Sequence, residues 1–151
     1  ERAKSLNELY LNNIKFEIYG NGWLSSKYKK LWKNIKIGKS IKERNYVKKI
    51  CNAKIAIGFL SKKNKDVYTR RCFEIPACKT LLMAPKTNEI QKILKNNKEI
   101  VLWNNTKDLV SKIKFLLKNQ NVLKKISIAG YLKIMKGNHS ENDRAKQILT
   151  S

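Results

Sequence analysis

The residues best equipped for chemistry crowd into one stretch, Asp66-Val-Tyr-Thr-Arg-Arg-Cys-Phe-Glu-Ile-Pro-Ala-Cys78. Glu74 offers two acceptor oxygens, enough to take a vicinal diol bidentately. Arg71, with Arg70 beside it, can make bidentate bonds to phosphate oxygens. If Thr69-Arg70-Arg71 opens a helix, the helix N-terminus adds a field that favours an anion. Each residue also has a plainer reading. Glu74 could be an ordinary acid in a first helical turn, and Arg71 a surface cation paired with it at i+3. Earlier in the chain, Gly20 and Gly22 could turn backbone N–H groups toward an anion, or simply make a turn. Ser25 stands where a dinucleotide-binding fingerprint needs its third Gly, so a nicotinamide cofactor is not supported.

Other reactive side chains point to no metal or nucleophile. Cys51, Cys72 and Cys78 fit no metal-ligand spacing, and His139 is the only His. The three thiols are expected to be reduced, two or more of them in the core, in a cytoplasmic protein. His139 reads as a helix-start residue. No D-x-D motif occurs, so no metal and no cofactor are expected.

Positioning such residues falls to short apolar runs alternating with helical stretches. Strands are expected at Ile14–Tyr19, Ile35–Ile37, Lys54–Leu60, Thr80–Ala84 and Glu99–Trp103. Helices are expected at Ala3–Leu11, Tyr28–Trp32, Ile41–Asn52, Thr69–Cys78, Thr87–Leu94, from Thr106, and over Asn121–Met135, with a last one from Ser140. Ser40 and Thr106 are the expected N-caps, and Thr87 is expected to begin its helix. The Ile41–Asn52 helix should present Tyr46, Val47, Ile50 and Cys51 on one face, and the Thr106 helix Leu109, Ile113, Leu116 and Leu117. Strands separated by helices predict an α/β, Rossmann-like parallel sheet of about five strands flanked by helices. Ligands bind such sheets at the carboxyl ends of the strands, here the loops after Tyr19, Leu60, Ala84 and Trp103.

Composition fits one domain: 151 residues, 42% hydrophobic and 30% charged. The chain opens Glu1-Arg2-Ala3-Lys4 without Met or an apolar leader, and is expected to be a fragment or processed product. The net charge of +23 raises nucleic acid or an anionic membrane as partners. Yet the excess is nearly all Lys, spread along the chain, with only five Arg and no nucleic-acid motif, so nucleic acid is disfavoured. A basic nucleic-acid- or anionic-membrane-binding module without catalysis stands as the alternative function.

Three stretches together resemble the C-terminal domain of GT-B glycosyltransferases, above all the group that includes the CgeB-like spore-maturation proteins. They are Lys15-Phe-Glu-Ile-Tyr-Gly-Asn-Gly-Trp23, then Ile35–Gly38 through Tyr46 together with Ala53–Ile57, and Arg71-Cys-Phe-Glu-Ile-Pro-Ala-Cys78. The last carries most of the likeness; Lys98–Val101 and His139-Ser140 with Arg144-Ala145 extend it. The resemblance implies one half of a GT-B fold, residues 1–151 forming the donor-binding domain, with an N-terminal acceptor domain outside this chain. It implies a glycosyltransferase, hexosyltransferase-like and metal-independent, that moves a sugar from a nucleotide diphosphate to an acceptor hydroxyl. Alone, the chain would bind donor weakly and transfer nothing, either in the cytoplasm or peripheral at the membrane. In that setting Glu74 would accept bonds from the donor ribose, Arg71 and Arg70 would serve the diphosphate, and Asp66 would be a shortened first member of an E-x7-E pair. Gly20 and Gly22 would face the phosphates. The family has Gly where Lys79 stands here, which alters that turn or supplies a phosphate-neutralising charge. The catalytic base is left unassigned.

Overall fold

The computed structural model describes residues 2–24, 27–61 and 64–137. His139, Arg144-Ala145 and the helix expected from Ser140 lie outside these residues. In order the elements are α1 (Arg2–Leu11), β1 (Glu17–Tyr19), α2 (Tyr28–Leu31), β2 (Lys36–Gly38), α3 (Glu43–Cys51) and β3 (Ile55–Ile57). Then come α4 (Arg71–Ala77), β4 (Leu81–Pro85), α5 (Asn88–Ile93), β5 (Val101–Trp103), α6 (Thr106–Lys118) and α7 (Gln120–Lys136). All five strands are parallel, as alternation with helices requires. They are hydrogen-bonded as two sheets, β1-β2 and β3-β4-β5, where one continuous sheet was expected.

The central strand β4 shows how the sequence builds two layers. Leu81 and Met83 point into a core with α1, α6 and Trp32, while Leu82 and Ala84 point into a second core with Cys72, Ile75, Ile90 and Leu94. A strand covered on both faces has no polar side, so its run is apolar throughout. Ile18 of β1 and Ile55 and Ile57 of β3 pack against the first core, which joins the two sheets through side chains rather than backbone.

Local chemistry explains most element ends. α1 stops where Asn12 returns its amide to Glu8 O at 2.9 Å and Asn13 takes φ 58, a conformation Asn tolerates. The Thr87 hydroxyl accepts from Ile90 N–H at 3.1 Å and so caps α5, a residue expected only to begin that helix. The two expected caps are corrected. α3 begins after Lys42 with no side-chain cap, so Ser40 plays no such part. Asn105, not Thr106, caps α6 by accepting from Asp108 N–H at 3.0 Å, and Thr106 instead bonds Ser5 of α1. On α6 the buried face is Leu109, Val110, Ile113 and Leu116, whereas Leu117 is 39% exposed. On α3, Tyr46 and Ile50 are half-buried, but Val47 and Cys51 face solvent. Only Cys72 of the three thiols is buried, fewer than expected, because Cys51 ends an exposed helix and Cys78 sits half-covered at the close of α4.

Pro76 lies in the last turn of α4. It has no N–H to offer the carbonyl four residues back, and α4 ends one residue later, at Ala77. Lys79 follows in the left-handed region, φ 57, with its ammonium 4.8 Å from the Tyr131 ring of α7. The left-handed conformation costs a side-chain-bearing residue roughly 1–2 kcal/mol, and an exposed cation–π contact returns about 0.5–1. Lys79→Gly is therefore expected to raise the urea midpoint slightly, by about 0.5 kcal/mol in stability. A fall would mean that the Tyr131 contact outweighs the strain.

Candidate functional site

Helix α4 leaves the loop that follows β3, at the carboxyl end of that strand, so its first turn stands where parallel sheets receive ligands. That turn carries Arg70, Arg71 and Glu74. Glu74 is held on both oxygens. The Tyr46 hydroxyl donates to Oε2 at 3.0 Å from α3, and Arg70 Nε lies 3.3 Å from Oε1. Arg70 is thus the ion-pair partner, at i+4, where Arg71 at i+3 had been considered. The arginine is 86% exposed and the carboxylate 36%, so this pair is screened and weak. Tyr46 is the firmer partner. Burial, and then the negative charge of Glu74, push its phenol up to about 12, with Arg71 opposing. The phenol therefore remains a protonated donor across the neutral range.

Beside this turn the seam between the two sheets opens as a cleft of about 840 Å³. Its walls include Gly20 after β1, Phe59 after β3, Tyr46 and Arg71. Among the described residues six cationic side chains line it against one carboxylate, Glu17: Arg2 and Arg71, and, toward the amino ends of the strands, Lys15, Lys36, Lys49 and Lys54. That carboxylate is already neutralised in place. The Tyr19 hydroxyl donates to Glu17 Oε2, and Lys49 Nζ lies 3.0 Å from the same oxygen. These bonds, Tyr19 first, hold the Glu17 carboxyl below its ordinary range. The cleft is therefore a net positive space that favours an anion.

The remaining expected residues fall in different places. Gly20 lines the cleft, and its N–H donates to Gly38 O at 3.2 Å, prolonging the β1-β2 ladder. Gly22, φ 86, makes the turn that a side chain would strain, and stands in the open. Asp66 closes its own loop: its carboxylate accepts from Ser61 N–H at 3.0 Å while its N–H donates to Ser61 O at 3.0 Å. Glu74 is not itself a wall of the cleft, but meets it through Tyr46 and Arg71. Lys79 does not join the group. It links α4 to β4, at the amino end of that strand, and its ammonium covers Tyr131. Trp103, 5% exposed, packs edge-on against Phe59 in the core, and Asn104 N–H is taken by Asp108 at 3.0 Å. Trp23 stacks loosely with Tyr28 and Trp32 rather than standing over the cleft alone. Burial first, then the Cys51 thiol beside it, pushes the Cys78 thiol up to about 11, which favours the thiol over the reactive thiolate. The residue at this turn that the sequence does not single out as a site residue is Tyr46, which it marks only by its place on the inner face of α3 and within the second family-like stretch.

Comparison with known proteins agrees with this architecture. Residues 2–150 match the glycosyl transferase-like family. No curated protein matches the chain by sequence. HepE from Anabaena, solved in complex with UDP-glucose, superposes with a TM-score of 0.77 at 10% identity, over 99% of this chain and 44% of its own. A glycosyltransferase from Rickettsia africae gives 0.69 at 19% identity, over 97% of this chain and 41% of its own. The C-terminal domain of LpcC, a glycosyl transferase group 1 family protein from Francisella tularensis, gives 0.56 at 18%, over 76% and 60%. At such identities the likeness is one of fold, and the fold is one half of the GT-B architecture. The chain spans less than half the length of the first two structures. With that fold, and with a match running along nearly its whole length, the chain belongs to the glycosyl transferase-like family.

Proposed function

We propose that residues 1–151 are the donor-binding half of a glycosyltransferase, and that they hold a nucleotide diphosphate sugar while its glycosyl group passes to an acceptor hydroxyl. The observation that carries this reading is the first turn of α4. It sets Arg71, a side chain suited to an anion, and Glu74, one suited to a diol, at the carboxyl end of β3, beside a cleft that runs along the seam between the sheets. The diphosphate would lie near Arg71, with Gly20 and Arg70 beside it, and the ribose hydroxyls would bond Glu74. Asp66, with one oxygen committed to its loop, would contribute through the other. UDP-glucose in HepE supports a nucleotide sugar as the class of donor.

The leaving nucleoside diphosphate gains negative charge in the transition state, and fixed cations stabilise it without reorganising. Arg71, with Arg70 beside it, would supply such charge at the carboxyl end of β3, and the chemistry proposed is metal-independent and needs no cofactor. Among the described residues, no three His, Cys, Asp or Glu side chains gather as a metal site. The acceptor and any general base belong, in this reading, to an N-terminal domain across the cleft. A hexose as the sugar, a cytoplasmic setting and contact with an anionic membrane surface complete the proposal. Among the described residues no helix is long and apolar enough to cross a membrane.

The test is a titration of the chain with UDP, GDP, ADP and CMP, followed by amide NMR shifts with EDTA present. One nucleoside diphosphate should move the signals of residues 20–22 and 71–74 and leave those of α6 in place. Shifts spread over all lysine-rich surfaces, with an affinity that collapses on adding salt, would instead favour a non-specific polyanion-binding module.

A further inference from the structure

We propose that Tyr46 is a positioning residue for the donor: its hydroxyl fixes the Glu74 carboxylate so that the two remaining lone-pair directions meet a ribose diol. The inference rests on the reading of Glu74 as the ribose acceptor.

Glu74 has a long side chain that loses considerable rotamer freedom when it is held in one orientation. Two groups hold it here, and they differ in kind. Arg70 is a long, 86% exposed side chain, whose ion pair breaks and re-forms readily. Tyr46 has two torsions, stands half-buried on α3 and forms part of the cleft wall. Only the phenol can therefore set the plane of the carboxylate. Its bond to Oε2 at 3.0 Å also crosses from α3 to α4, which ties the orientation of Glu74 to two helices instead of one.

The arrangement leaves the right capacity. A carboxylate oxygen accepts two hydrogen bonds, so Oε2 with Tyr46 and Oε1 with Arg70 each keep one place for a ligand hydroxyl. Two places on one carboxylate are what the 2′- and 3′-hydroxyls of a nucleotide need. The phenol, pushed up to about 12, never competes as an anion at neutral pH. Arg71, which also contacts Tyr46, lines the same cleft, so one tyrosine joins the anion-binding cation to the diol acceptor.

The test compares ribose with deoxyribose. Calorimetry on the full chain would use whichever of UDP, GDP, ADP and CMP binds, together with its 2′,3′-dideoxy form. Tyr46→Phe keeps the ring and removes the hydroxyl. It should weaken the ribonucleotide about tenfold and leave the dideoxy form unchanged, since a hydrogen bond to a charged group is worth roughly that factor. In the Glu74→Ala background, Tyr46→Phe should add nothing, because the two act as one unit. An equal loss for both nucleotides would show that Tyr46 merely packs α3 on α4, and would overturn the proposal. So would wild-type affinity in Tyr46→Phe alongside a clear loss in Glu74→Ala, which would leave the ribose role of Glu74 standing. If no nucleotide binds the wild-type chain, the donor-binding reading itself fails, and this inference with it.

Discussion

Gly130→Ala should destabilise the chain by about 2 kcal/mol, although alanine is the better helix former by roughly 1 kcal/mol. A methyl group at residue 130 of α7 would stand 2.4 Å from the carbonyl oxygen of Glu99. That carbonyl cannot retreat. The turn before β5 is tied by Glu99 N–H to Lys95 O at 2.9 Å, Asn97 N–H to Ile100 O at 2.7 Å and Lys95 N–H to the Glu99 carboxylate at 2.8 Å. The helix must therefore move, and α7 is packed on β4, α4 and α6. The same methyl group would lie 3.7 Å from Pro76 Cβ, so the displacement reaches α4, which carries Glu74. Urea unfolding followed by far-UV circular dichroism would measure the cost, and nucleotide affinity should fall in step. Unchanged stability in Gly130→Ala would mean that α7 rides further from β5 than described.

Glu74→Ala is expected to weaken nucleoside diphosphate binding by tenfold or more with little change in melting temperature. The binding loss follows from removing both acceptor oxygens from the diol; each hydrogen bond to a charged group is worth about 1.5–3 kcal/mol net of competing water. The stability change is small for a separate reason. The ion pair to Arg70 is exposed, and the Tyr46 hydroxyl, half-buried at the cleft wall, can find water. Glu74→Gln should fall between, since an amide keeps one acceptor and turns the other position into a donor. Fluorescence or calorimetric titration of the three proteins would rank them wild type, Gln, Ala. Equal affinities would remove Glu74 from the site and with it the central contact of the proposed donor pose.

The order in which elements were legible follows from how local their causes are. The apolar run Leu81–Ala84 was legible as a strand because it is short and Pro85 closes it, and both of its faces are buried. The pair Asn12-Asn13 acts on residues within one helical turn, so the end of α1 could be read from it, and Thr87 could be read as the start of α5. Asn105 and Thr106 are both good caps, and only the backbone angle, φ −150 at Asn105, decides between them. Leu117 belonged to the inner face by type but lies just past its edge. The site divides the same way. Glu74 and Arg71 stand out through their neighbours in sequence, whereas the bond from Tyr46 spans 28 residues and has no local signature. The closeness of α7 to Glu99 is likewise a meeting of distant segments, which a single Gly in a helix announces only faintly.

The division of the five strands into two ladders bears on how the molecule would respond to a ligand. Between β1 and β3 the protein has mortar of side chains but no stitching of backbone amides. Such a joint lacks the backbone hydrogen bonds that hold the strands together within each sheet, and it opens at lower cost than a ladder does. A donor reaching from Gly20 on one side to Arg71 on the other would act as a clasp across that joint. Part of its binding energy would then be stored as stiffness in strands it never touches, and the empty domain would be the softer partner in any closure of the cleft.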